Sequence, residues 1–127
     1  MGILYNRFND ETNGSTYWTL LTTFTDVNTD MPIGDLTGKT ELLVVCNDIV
    51  AALFCIRNVS TNPFVEHGDV EKIYNDNTGT GYAFEIGYRP YYSPLHSPTI
   101  HVDGHSYTSV SGGGSTLASV NTKVFVR

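Results

Sequence analysis

Three histidines, His96, His101 and His105, lie close together in the chain, at spacings of five and four. Imidazoles on one face of an element would suit a transition metal. The residues between them argue otherwise. Asp103-Gly104, set between alternating runs, is the signature of a two-residue β-hairpin. With the turn there, Ile100, Val102, His105 and Tyr107 share one face, and His101 and Ser106 share the other. The two histidines then point to opposite sides of the sheet, and no intrachain metal is expected. In an oligomer, His101 from several chains could converge on an axis, so it stands as a weak metal candidate.

Asp26, Asn28 and Asp30 place oxygen ligands at alternating positions, as the start of a calcium loop does. The pattern then fails, with Met31 where glycine is needed and Thr37 where a bidentate glutamate is needed. An Asx-rich turn accounts for the same residues. Gly34-Asp35-Leu36-Thr37-Gly38-Lys39-Thr40 has the composition of a phosphate-binding loop. It is one residue short between its glycines, and an apolar strand follows where a helix is required. Glu66, His67, Asp69 and Glu71 would serve acid–base chemistry, and a small hydrolase built on Glu66, His67 or Asp69 is one alternative. A solvated loop explains them better. There is no Gly-x-Ser-x-Gly elbow. The sequence therefore predicts no catalytic constellation, no enzyme and no cofactor.

The segment Tyr88-Arg89-Pro90-Tyr91-Tyr92-Ser93-Pro94 points to binding. Prolines stiffen the chain, so neighbouring tyrosines can be exposed at low entropic cost. Rigid aromatic rings with a polar tip suit sugars and protein surfaces. Trp18, Tyr88, Tyr91 and Tyr92 are the candidate residues for stacking on a glycan or contacting a partner. The same rings would also serve to cap one end of a core.

These groups must be positioned by strands. Residues 16–25 are β-branched and aromatic, and residues 26–39 read as a loop. The apolar run 41–56 is long enough for one buried helix. Its valines and isoleucines, with Asn47-Asp48 suited to positive φ, favour two strands and a tight turn. Val70–Tyr74 and Tyr82–Tyr88 flank a Gly/Asn/Asp loop, and the second run alternates with period two. The segment from Thr99 to Thr108 reads as the Asp-Gly hairpin, Ser111–Ser115 as a flexible loop, and Val124–Val126 as a last strand. Roughly seven to eight short strands at such spacing predict an all-β fold, an antiparallel β-sandwich or jelly roll. Residues 1–15 form a polar N-terminal arm and 16–127 a single domain.

The 127 residues suit one domain. Net charge is −6, with seven basic residues spread along the chain. No basic face exists to follow a phosphate backbone, which argues against nucleic acid, and the acidity argues against anionic membranes. The first residues lack the apolar core of a signal peptide, which predicts synthesis in a cytoplasm. Cys46 and Cys55 lie in apolar runs and are expected to be buried, reduced thiols.

The Thr/Asn/Gly/Tyr-rich strands, the Asp103-Gly104 hairpin and the Gly112-Gly113-Gly114 loop give the chain a general character. It resembles the small β-sandwich structural proteins of tailed bacteriophages, such as capsid decoration proteins and tail or fibre-tip modules. The resemblance implies a repeated virion component, made in the host cytoplasm and working as a homo-oligomer. Its partners would be other virion proteins or copies of itself, with a cell-surface glycan as a further ligand. A carbohydrate-binding module is the competing reading.

Overall fold

The computed structural model describes residues 17–56, 68–89, 97–108 and 114–127. The arm 1–15, Glu66, His67, Tyr91, Tyr92, His96 and the glycines 112–113 lie outside these residues. The described residues form nine strands and no helix: β1 (Thr19–Phe24), β2 (Asp30–Pro32), β3 (Glu41–Cys46), β4 (Val50–Cys55), β5 (Gly68–Asn75), β6 (Thr80–Arg89), β7 (Thr99–Thr108), β8 (Gly114–Thr116) and β9 (Thr122–Val126). They build two antiparallel sheets, one in the order β1-β9-β3-β4, the other β2-β7-β6-β5 with β8 paired to β7. The fold is a β-sandwich, as expected.

Alternation along each strand makes the core. Leu42, Val44 and Cys46 of β3 face inward with Ala52 and Phe54 of β4 and Val124 and Val126 of β9. They meet Phe84, Ile86 and Tyr88 of β6 and Ile100 and Val102 of β7. Each fully buried aliphatic or aromatic side chain contributes about 1.5–3 kcal/mol. Leu36, in the loop between β2 and β3, is also fully buried and anchors that loop to the core. The Gly34–Thr40 segment is thus a core-anchored turn, with Gly34 and Gly38 at positive φ.

The 41–56 run is a hairpin. Cys46 pairs with Val50, and the Cys46 carbonyl accepts from Ile49 N–H at 3.1 Å. Asn47 and Asp48 sit at φ 52° and 57°, the positive values a type I′ turn requires. Asn47 is held further: its N–H donates to the Asn121 carbonyl and its Oδ1 accepts from Asn121 N–H, both at 2.8 Å.

Three expectations are corrected. Asp103-Gly104 is not a turn: β7 runs straight through it, with Asp103 opposite Glu85 and Gly104 opposite Phe84 on β6. Gly104 points into the core, where a Cβ would lie 2.9 Å from both Leu117 and Val120. The glycine therefore serves a close approach rather than a reversal. Second, the 26–39 loop contains β2, and the Gly-Ser end of the 111–115 loop enters β8. Third, Cys46 is buried but Cys55 is exposed. They lie at opposite ends and on opposite faces of the hairpin, about 17 Å apart at strand rise, so neither can bridge the other.

Candidate functional site

Two of the expected binding aromatics are structural. Tyr88 is 2% exposed and stacks obliquely on Phe54 in the core, with ring centroids 5.7 Å apart. Trp18 is 7% exposed, packed beside Leu43, Val45 and Phe125, with the Arg127 guanidinium 4.3 Å from its ring centre. Neither presents a face to a ligand. In Tyr88 the period-two alternation that places Phe84 and Ile86 inward carries the ring inward too.

The metal candidates are used otherwise. Asp30 lies on β2 opposite His101 of β7 and meets its Nδ1 at 2.7 Å, while Nε2 lies 3.2 Å from Asp103. His101 is thus held between two carboxylates and ties the three-residue strand β2 to the sheet. Asn28 adopts φ 55° and donates its N–H to the Val102 carbonyl, in a turn that Asp26 precedes. Among the described residues no group of three His, Cys, Asp or Glu side chains is placed to hold a metal ion.

The straight course of β7 changes which residues share a face. Ile100, Val102 and Gly104 point inward, so His101, Asp103, His105 and Tyr107 all point outward. His101 and His105 are on the same side, contrary to the hairpin geometry. The outer face of β6 carries mostly small residues, Gly81, Ala83, Glu85, Gly87 and Arg89. Flanked by β5 and β7, it forms the floor of a trough two strand spacings wide, about 9.5 Å.

At one end the trough opens into a hollow of about 350 Å³ over Gly87. This volume is at the small end of the roughly 300–1,000 Å³ typical of small-molecule sites. One wall is Asp69 and Glu71 of β5, the other His101 and Asp103 of β7, with Glu85 and Arg89 on the floor strand. Gly87 makes room for the side chains above it, since a Cβ there would collide with Asp69 Oδ1 and the Arg89 guanidinium. Those two side chains form an ion pair across it. Glu71, Glu85 and Asp103 stand opposite one another on three adjacent strands. Directly opposed like charges weaken a sheet. Among the described residues, Glu71 and Glu85 meet no cation that would relieve them.

At the other end, the Tyr107 ring lies over Gly81 and its hydroxyl donates to Asn75 Oδ1 at 3.2 Å. The half-buried ring is a platform laid on the sheet, about 13 Å along the strand from Asp103. The sequence signal for this site was the alternation itself: small residues at 81, 83 and 87 on one face of β6. It was obscured by reading Asp103-Gly104 as a turn, which broke β7 in two. Of the acid–base group, Asp69 and Glu71 line the hollow, and Glu66 and His67 lie outside the described residues.

The chemistry of the face is hydrogen bonding at high density. Carboxylates accept from hydroxyls, a guanidinium donates to them, and imidazole does either. Such a set complements a polyol, whose every hydroxyl is both donor and acceptor. No known protein family, no curated protein and no solved structure matches the chain.

Proposed function

We propose that the chain is a non-enzymatic structural or adhesion component of a virion, working through contacts with copies of itself or other virion proteins. Its ligand surface is the outer face of the β2-β7-β6-β5 sheet, and its ligand there is a cell-surface carbohydrate. The hollow over Gly87 carries this reading, because it gathers donors and acceptors from three strands around one glycine. Tyr107 adds an aromatic platform, the usual partner of a sugar's apolar face. The virion part rests on the resemblance of the Thr/Asn/Gly/Tyr-rich strands to phage structural modules, from which the Asp103-Gly104 hairpin is now withdrawn.

An immobilised panel of bacterial surface glycans tests the reading. The native chain is expected to bind a small set of them, and Gly87→Val, which fills the hollow, is expected to lose those signals while remaining folded. Unchanged binding by the valine variant would move the ligand surface elsewhere. A second reading, a small hydrolase, is kept because Asp69 borders the hollow beside Glu71 and Glu85. Paired carboxylates flanking a sugar are the equipment of glycoside cleavage. Release of reducing ends from a bound glycan, abolished by Glu85→Gln, would favour it.

A further inference from the structure

The trough continues well beyond the hollow. Its floor, the outer face of β6, runs from Gly87 to Gly81, about 20 Å at strand rise. Its character changes along that length. The end at Gly87 is polar and charged. Midway, register sets Ile73 and His105 on either side of Ala83. Ile73 is 58% exposed, a large aliphatic side chain on an otherwise polar sheet face. At the far end the Tyr107 ring lies over Gly81. Polar hollow, apolar waist and aromatic platform thus follow one another along a single strand.

We infer, on the carbohydrate reading of this face, that the trough holds an extended chain of about four pyranose units lying along β6. The chain is β-1,4-linked and neutral or amine-bearing, with one end in the hollow over Gly87 and the other on Tyr107. A single pyranose ring would cover only a fraction of the trough. Equatorial linkage keeps a sugar chain straight, as a course between parallel walls demands, whereas a coiled chain would leave the trough after the first units. Such a ribbon offers hydroxyl edges and apolar C–H faces in turn. The edges suit the carboxylates and the guanidinium of the hollow, and the faces suit Ile73 and the Tyr107 ring. Charge restricts the class further. The outer face of the other sheet is apolar around Leu43, Val45 and Phe125, and its ions are paired in place, Arg127 with Glu41 and Lys123 with Asp48. In the trough Glu71 and Glu85 meet no cation among the described residues, so an anionic glycan would be repelled.

Titration calorimetry of the full chain with β-1,4-linked glucosamine and glucose oligomers, from monomer to hexamer, tests the inference. Affinity is expected to rise with length and level off near the tetramer. Tyr107→Ala is expected to weaken tetramer binding about tenfold and to leave dimer binding unchanged. Tyr107→Phe, which keeps the ring, is expected to retain the native length dependence. Ile73 is exposed, so Ile73→Ser probes the waist without disturbing the core should Tyr107→Ala fail to fold, and it is expected to flatten the length dependence. Monomer bound as tightly as tetramer would overturn the inference. So would a β-1,4-linked glucuronate tetramer that binds more tightly than both series. Silence from both series, beside a glycan-panel signal that Gly87→Val abolishes, would also overturn it and leave the carbohydrate reading standing. Silence from the panel as well would remove both.

Discussion

Glu85 holds the least favourable position in the sheet, opposite Glu71 on one side and Asp103 on the other. A structural residue would not be expected there, since opposed like charges cost a fraction of a kcal/mol per pair. Glu85→Gln is therefore expected to raise stability at neutral pH by about 0.5 kcal/mol, read as a higher midpoint in urea. Because the charges are exposed, the gain shrinks as salt is added. A stability cost at a site of this kind is what ligand binding offsets. Asp76 shows the opposite arrangement. Its Oδ1 accepts from the Thr78 hydroxyl at 2.7 Å, from Thr78 N–H at 2.8 Å and from Thr80 N–H at 3.0 Å. The Thr78 hydroxyl foremost, then these amides, hold its carboxyl below the ordinary 3.8. A group whose folded value is depressed contributes stability above the unfolded value and loses it as pH falls through the folded one. NMR titration is expected to place the Asp76 midpoint below 3.8, and Asp76→Asn to remove that part of the acid dependence. The two thiols differ in the same way by environment. Burial pushes Cys46 up to about 12, against a smaller opposing effect of the Thr122 hydrogen bond, whereas Cys55 is exposed. Iodoacetamide at neutral pH is expected to modify Cys55 and leave Cys46 intact until the chain unfolds.

Among the elements, β7 decides the architecture of the site. Its glycine sits under Phe84, Leu117 and Val120, and the Gly104 carbonyl accepts from Leu117 N–H at 2.8 Å. Gly104→Ala is expected to destabilise the fold by about 1–3 kcal/mol through overpacking, whereas a turn glycine at positive φ would be destabilised through backbone strain. The two cases separate in a thermal melt of Gly104→Ala beside Leu117→Ala/Gly104→Ala, where the smaller neighbour makes room and restores part of the loss. The β3–β4 hairpin was legible because Asn47 and Asp48 must adopt positive φ and the β-branched residues around them disfavour a helix. The sandwich was legible from alternation, which reflects burial on one face of each strand. The course of β7 was not, because Asp-Gly describes a local turn equally well, and only the side chains above Gly104, thirteen and sixteen residues further along, reveal that the glycine is a close contact. For the same reason Tyr88 read as exposed beside its prolines while the pleat carries it into the core. The short strands β2 and β8 are too brief for periodicity and owe their pairing to β7.

At the scale of the molecule, the two outer faces divide the labour. One is apolar with its ions paired in place, and the other carries Asp30, Asp69, Glu71, Glu85 and Asp103 against Arg89 and the histidines. If the proposed role in a repeated assembly is right, the polar trough stays open in it, and light scattering should show a mass unaffected by Gly87→Val. The account's central claim is that the trough over Gly87 and Glu85 exists to hold a ligand, at a cost to the fold. The most direct measurement is glycan binding and urea stability of Glu85→Gln, taken side by side with the native chain. The account predicts a variant that is more stable and no longer binds. A variant that binds as the native chain does, or that is less stable because Glu85 supports the sheet, would contradict it.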